Sequence, residues 1–171
     1  MNTRVRMIVI GIAVAFLLYA IYAQHYNIAV YIAGGVGYLV WSHFREGTVF
    51  LATQAFHKQD YEKTKNLLAE IKNPDQLRKG RRGYYEFMMG NIALKEEDVD
   101  KAEYHFQLAS RLPWKRDTEK AFVLINLANI ALRKKNYERV PVYLDLVKKL
   151  KLTERQHSIV EKIEIELNKQ S

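Results

Sequence analysis

Met7–Ala23 is apolar at every position except Gly11, and Ile28–Trp41 is apolar apart from Gly34, Gly35 and Gly37. No charged residue occurs from 7 to 44. Between the two runs lies Gln24-His25-Tyr26-Asn27, a short polar break with turn chemistry. Each run, extended to its edges, gives about 17 helical residues, or roughly 25 Å at 1.5 Å per residue. That is the short limit for crossing a hydrocarbon core of about 30 Å. The pattern predicts a transmembrane helical hairpin over 1–44. The glycines at 34, 35 and 37 read as packing points against a neighbouring helix. They lack the spacing of a phosphate loop. Three other readings compete: a cleaved signal peptide ending near Ala23, a single span with the second run in the interface, and a buried soluble helix pair.

Beyond residue 44 the pattern changes to one that repeats. Gln59-Asp60-Tyr61, Glu97-Asp98-Val99 and Lys135-Asn136-Tyr137 are polar turns set 38 residues apart, twice. Small residues precede each turn at fixed places: Ala52 and Ala55, Gly90 and Ala93, Ala128 and Ala131. After each turn apolar positions recur at helical spacing: Leu67, Leu68 and Ile71, then Ala102, Phe106 and Ala109, then Leu144 and Val147. This predicts six helices in three hairpins, the small residues letting paired helices approach closely. Asp60, Asp98 and Asn136 are expected to cap the second helix of each pair. Pro141 should bend or fray the start of its helix. A seventh helix opens on Thr153-Glu154-Arg155-Gln156, a capping box, and closes the domain over 153–169.

These residues resemble the tetratricopeptide (TPR) repeat, whose signature runs W-x₂-L-G-x₂-Y, then A-x₃-F, then P. Met89-Gly90, Ala93, Ala102, Phe106, Ala109 and Pro113 carry the resemblance best. It covers about 45–150 and departs from the family in its period, four residues longer than the usual 34, and in Val140, which stands where a small Ala belongs. A generic helical bundle is the competing reading. The resemblance implies a scaffold whose first helices line a groove. By register the groove would hold Thr53, Asn91 and Asn129, and one turn on His57, Lys95 and Arg133, with Phe87 and Ile125 as apolar contacts. Asn can bind a peptide backbone through a donor and an acceptor, and Lys95 and Arg133 can pair with a carboxylate. Val49, Met88 and Phe122 stand where the carboxylate-clamp variant of the family needs polar or basic groups, which argues against a chaperone-tail ligand.

Charge sharpens the picture. The 171 residues include 27 Lys+Arg and 19 Asp+Glu, a net charge of +8. Arg4 and Arg6 precede the first apolar run and Arg45 follows the second, so both ends are expected in the cytoplasm. Tyr19, Tyr22 and Tyr26 would mark the outer interface, and Tyr38 and Trp41 the inner one. In stacked hairpins, the loops from each second helix to the next first helix share one edge. On that edge fall Arg78, Lys79, Arg81, Arg82, Lys115, Arg116, Lys148, Lys149 and Lys151, with Trp114 among them as an expected interface anchor. If the first repeat helix begins at Arg45, this basic edge faces the membrane, where anionic headgroups attract it.

Reactive chemistry is missing. With no cysteine there is no disulfide, thiolate metal site or cysteine nucleophile. The histidines at 25, 43, 57, 105 and 157 lack metal-ligand spacing, and no nucleophile elbow or phosphate loop occurs. No catalytic residue, metal or cofactor is expected. The reading is an all-α, membrane-anchored repeat scaffold with an anchor at 1–44 and a repeat domain at 45–171. The expected location is the inner membrane of a bacterium, with the repeat domain cytoplasmic and oligomeric state open. Expected partners are a protein or peptide and anionic lipid headgroups. The alternatives are nucleic acid, held by the basic edge, and membership of a larger membrane complex as an accessory subunit.

Overall fold

The computed structural model describes the backbone over 3–24 and 26–170, and side chains over 11–24, 27–37 and 47–169. Among the described residues the chain is all helix, with no strand. The α-helices are α1 Thr3–Tyr22, α2 Tyr26–His57, α3 Tyr61–Ala69, α4 Lys79–Lys95, α5 Val99–Ser110, α6 Asp117–Arg133, α7 Arg139–Lys148 and α8 Glu154–Gln170, with one 3-10 turn at Pro74–Gln76. No new helix begins at Arg45, which lies within α2. The chain divides into two units, Met1–Thr48 and Val49–Ser171.

In the first unit α1 ends in a turn in which Gln24 takes the left-handed conformation (φ 56°). Ala20 and Ala29, on either side of it, are buried. The bulky side chains are not: Ile12, Phe16, Leu18, Tyr19, Val30 and Tyr31 are exposed, and Tyr22 is 88% exposed. A Cβ built on Gly34, Gly35 or Gly37 would meet nothing within 4 Å, so among the described residues these glycines have no packing neighbour. Among the described residues no helix is long and apolar enough to cross a membrane. Of α1 these include side chains from 11 to 22 alone, about 18 Å of helix. The spanning hairpin expected over 1–44 thus has no support among them. Arg4, Arg6, Tyr26, Tyr38, Trp41 and Arg45 lie outside the described side chains, as do His25 and His43.

The second unit consists of three helical hairpins and a final helix. Hairpin 1 is α2 from Val49 with α3, hairpin 2 is α4 with α5, and hairpin 3 is α6 with α7. Each turn is built alike. Gln59, Glu97 and Lys135 are left-handed, with φ of 61°, 62° and 57°. Each donates its N–H to the carbonyl three residues back: Phe56, Leu94 and Leu132. The next residue donates to the carbonyl five back: Asp60 to Ala55 at 3.0 Å, Asp98 to Ala93 at 2.9 Å, Asn136 to Ala131 at 2.8 Å. That pair of bonds is the Schellman motif, which satisfies carbonyls the helix end would leave free. Asp60 and Asp98 then cap α3 and α5 through the N–H groups of Lys63 and Lys101. Asn136 does not cap α7. That helix begins only at Arg139, and Glu138 stands at its cap with no side-chain bond. Pro141 explains the delay, because it has no N–H to offer the Tyr137 carbonyl.

Packing follows the small residues. Ala52, Ala93, Ala102, Ala109 and Ala128 are fully enclosed or nearly so. Gly90 shows why: a Cβ there would lie 3.0 Å from the Phe106 ring, which is completely buried. Phe106, Leu127, Ile130, Val140 and Val147 centre one cluster, and Val49, Leu68, Met88 and Ile92 the other. Thr64, buried at the position of Ala102 and Val140, satisfies its hydroxyl on the Asp60 carbonyl at 2.7 Å. α8 opens on the expected capping box: Thr153 N–H donates to Gln156 Oε1 at 3.0 Å, and Gln156 N–H to Thr153 Oγ1 at 3.3 Å. The buried Gln156 also donates from Nε2 to the Thr118 carbonyl at 2.7 Å, tying α8 to the start of α6.

Candidate functional site

α4 and α6 are enclosed on most sides. What they leave accessible is chiefly a stripe at spacings of three and four, the surface line of a helix. On α6 it runs through Phe122 (38% exposed), Asn126, Asn129 and Arg133. On α4 the accessible or partly accessible positions are Tyr84, Phe87, Asn91 and Lys95, with Met88 buried, and on α2 they are Phe50, Thr53 and His57. Contacts between helices join the stripes. The Arg81 guanidinium lies 5.9 Å from the Phe50 ring centroid, and Tyr84 donates its hydroxyl to Glu119 Oε1 at 2.5 Å.

Seven of the eight expected groove residues are accessible or partly accessible: Thr53, His57, Phe87, Asn91, Lys95, Asn129 and Arg133. Ile125 is not. It precedes the stripe residue Asn126 by one position, a rotation of about 100° about the helix, and that rotation carries it inward. Ile125 is only 3% exposed. Phe87 packs edge-on to Phe56, Phe106 and Trp114, with centroids 5.9, 6.0 and 6.2 Å away. Phe122 and Asn126 are further accessible residues of the α6 stripe.

The polar stripe residues are partly committed to their own helices. Thr53 Oγ1 donates to the Val49 carbonyl at 2.8 Å, Asn91 Nδ2 to Phe87 at 2.7 Å, and Asn126 Nδ2 to Phe122 at 2.8 Å. This anchors each amide and leaves its Oδ1 to accept from a ligand N–H. Lys95 Nζ sits 3.9 Å from the Tyr61 ring centroid, a cation–π contact that holds it at the turn end. His57 and Arg133 are exposed at the same end. At the opposite end Arg116 and Tyr84 converge on Glu119. The Tyr84 phenol is held above its ordinary value, first by burial and then by the Glu119 carboxylate beside it. Hydrogen bonding to that carboxylate likewise raises the Arg116 guanidinium.

The loops expected to form a basic edge carry fewer unpaired cations than their sequence suggests. Lys151 N–H donates to Asp117 at 3.3 Å, linking the last loop to α6, and Tyr84 stacks edge-on to Trp114 at 5.2 Å, linking α4 to the middle loop. Arg82 is occupied by Asp75 and Glu86, Arg116 by Glu119 and Lys148 by Glu164. Arg81 is drawn to Phe50. Lys79, Lys115, Lys149 and Lys151 remain as exposed side chains, and Arg78 is exposed with a contact of its own. Trp114 is half-buried and held within the domain: its indole lies over Gly83, where a Cβ would meet it at 3.4 Å, and it donates Nε1–H to the Ala109 carbonyl at 2.9 Å. Tyr85 is buried, and Tyr84 is hydrogen-bonded to Glu119.

A buried ionic line was not anticipated. Glu86 is 3% exposed, its Oε2 lies 2.7 Å from His105 Nδ1 on α5, and Arg82 reaches its Oε1 at 3.4 Å. Hairpin 3 has Leu124 and Tyr143 at the two corresponding positions. The signal was there, a Glu on the apolar face of α4 paired in register with a His on α5. Among the described residues no group of His, Asp and Glu side chains is arranged to hold a metal ion. No protein-family model, curated protein or solved structure matches the chain.

Proposed function

We propose that the chain is a tetratricopeptide-like scaffold that captures a segment of a partner protein on the common face of α2, α4 and α6. The observation that carries this reading is the continuous accessible stripe Phe122, Asn126, Asn129 and Arg133 beside Asn91 and Lys95, on helices otherwise enclosed. Phe122 supplies apolar contact. The amide oxygens accept backbone N–H groups. His57, Lys95 and Arg133 favour an acidic segment. The role is binding rather than catalysis.

The first unit is the membrane-associated part in this proposal, with the repeat unit on the cytoplasmic side of a cell membrane. Its support is the exposure of Phe16, Leu18, Val30 and Tyr31, which a bilayer would cover at about 1.5–3 kcal/mol per large side chain. Lys79, Lys115, Lys149 and Lys151 favour anionic headgroups as a second contact. Retention in the membrane fraction through high salt and alkaline wash is expected; release by salt alone would refute the integral reading. For the face, crosslinking in intact membranes compares wild type with Asn91→Ala/Asn129→Ala and with Phe122→Glu. Loss of the same partner from both variants is expected. An unchanged set of crosslinked proteins would move recognition elsewhere on the molecule.

A further inference from the structure

Two ion pairs bridge successive hairpins at equivalent places with their charges exchanged. Between hairpins 1 and 2, Lys65 of α3 pairs with Glu96 at the end of α4. Between hairpins 2 and 3, the residue 38 positions after Lys65 is Glu103, and the residue 38 positions after Glu96 is Lys134. These also pair, at 2.6 Å. The second junction is reinforced by Asp100 to Lys134 at 2.5 Å and Arg139 to Glu103 at 3.3 Å. Neighbouring carboxylates raise both lysines above their ordinary value, Lys65 first through its hydrogen bond to Glu96 and Lys134 first through its bond to Asp100.

The exchange of sign has a consequence that a uniform ladder would lack. If hairpin 3 docked directly on hairpin 1, Lys65 would face Lys134. If hairpin 2 docked on hairpin 2 of another chain, Glu103 would face Glu96. Hairpin 1 on another hairpin 1 would set Lys65 against Lys58, which holds the corresponding position there. Each is a like-charge contact. The one wrong junction left attractive is hairpin 1 following hairpin 2, Glu103 against Lys58. Apolar surfaces discriminate less well, because the hairpins present the same small residues at the same places. Repeat proteins characteristically fail by such misassembly.

We propose that this alternating ladder specifies the order in which the hairpins stack, within one chain and against exchange between chains. Repulsion across wrong junctions is a recognised way for a sequence to reject alternatives. The pairs are half exposed, so each discriminates modestly, by up to about fivefold in population, and salt weakens it.

The test separates order from simple stabilisation. It uses the full chain in mild detergent, unfolded in urea and refolded at rising protein concentration, with size-exclusion profiles and unfolding midpoints as readouts. Lys65→Glu sets two carboxylates together and lowers the midpoint. Lys65→Glu/Glu96→Lys restores an attractive pair and the wild-type midpoint. In that double variant, however, all three first helices are basic at the ladder (Lys58, position 96 and Lys134) and both second helices that meet a following hairpin are acidic (position 65 and Glu103), so order is no longer encoded. Two- to fivefold more misassembled material on refolding is expected from it than from wild type, with the gap closing in 1 M salt. Refolding indistinguishable from wild type would overturn the proposal. A double variant whose midpoint stays as low as that of Lys65→Glu would overturn it too, by showing that the two positions do not act as a pair.

Discussion

Gln59, Glu97 and Lys135 occupy the left-handed position of three equivalent Schellman turns. All three carry an exposed side chain, and that position usually belongs to glycine. An L-residue there sets its Cβ against the following carbonyl, at about 1–2 kcal/mol. Glycine avoids that cost but gains freedom in the unfolded chain, which returns about 0.4–1 kcal/mol. Replacing one of the three by Gly should therefore stabilise by about 0.5–1 kcal/mol. The turns are far apart and share no partner, so the effects should add, to about 1.5–3 kcal/mol for Gln59→Gly/Glu97→Gly/Lys135→Gly. For a unit of this size that is a rise of roughly 5–12 °C in Tm. The assay is thermal unfolding of the full chain in detergent, followed by helical circular dichroism. The Ala variants are the control, since Ala keeps its Cβ and should leave Tm unchanged or slightly lower. If Ala raises Tm as much as Gly, or if Gly lowers it, the left-handed argument is wrong.

Gly90→Ala should lower stability by about 1–3 kcal/mol, because a Cβ 3.0 Å from the enclosed Phe106 ring overpacks the core by more than the helical preference of Ala returns. Gly83→Ala should be neutral or stabilising by up to about 1 kcal/mol, since its Cβ meets Trp114 at an ordinary 3.4 Å; a shift of the same sign in both Tm values would contradict the packing account. Glu86→Leu/His105→Tyr imports the apolar pair of hairpin 3 and should be neutral or stabilising by about 1–4 kcal/mol, whereas His105→Ala alone should cost about 1–3 kcal/mol by leaving Glu86 with a lost partner; urea midpoints decide. Alkali should destabilise: the Tyr84 phenol is raised above 10.0, and the Lys65 and Lys134 ammoniums above 10.5. Each binds its proton more tightly folded than unfolded, so its contribution is complete below those values and lost as pH climbs through the higher folded ones. A urea midpoint that holds steady or rises above pH about 10 would refute this.

Local chemistry was legible in the sequence because it is written in neighbouring residues. The three turns, the caps at Asp60 and Asp98, the delayed start of α7 before Pro141 and the Thr153–Gln156 capping box all depend on partners within five positions. What escaped depends on how distant elements lean together. Ile125 sits one position from the accessible stripe, and only the packing of α6 against both neighbours decides which of two adjacent residues turns inward. Trp114 reads as an exposed aromatic among basic residues until Gly83, on another helix, opens the space its indole fills. Cations along the loop edge read as free, whereas Arg82 and Lys148 find carboxylates on other elements, Asp75 and Glu164, and Arg116 turns back onto Glu119 three residues on.

α8 carries a design implication of its own. It occupies the place of a first helix in a fourth hairpin, yet Glu166 stands where Gly90 and Ala128 admit a second helix, and Lys169 where Ala93 and Ala131 do. Ile165, in the register of fully enclosed Leu127, is 53% exposed. A second helix docking there would have to bury a carboxylate and an ammonium, which amounts to a stop signal written in two side chains. Removing it would be the first step in lengthening the array: Glu166→Gly and Lys169→Ala, followed by a grafted copy of the turn and second helix from hairpin 3, would make this protein a modular rod whose reach is set by the number of copies added.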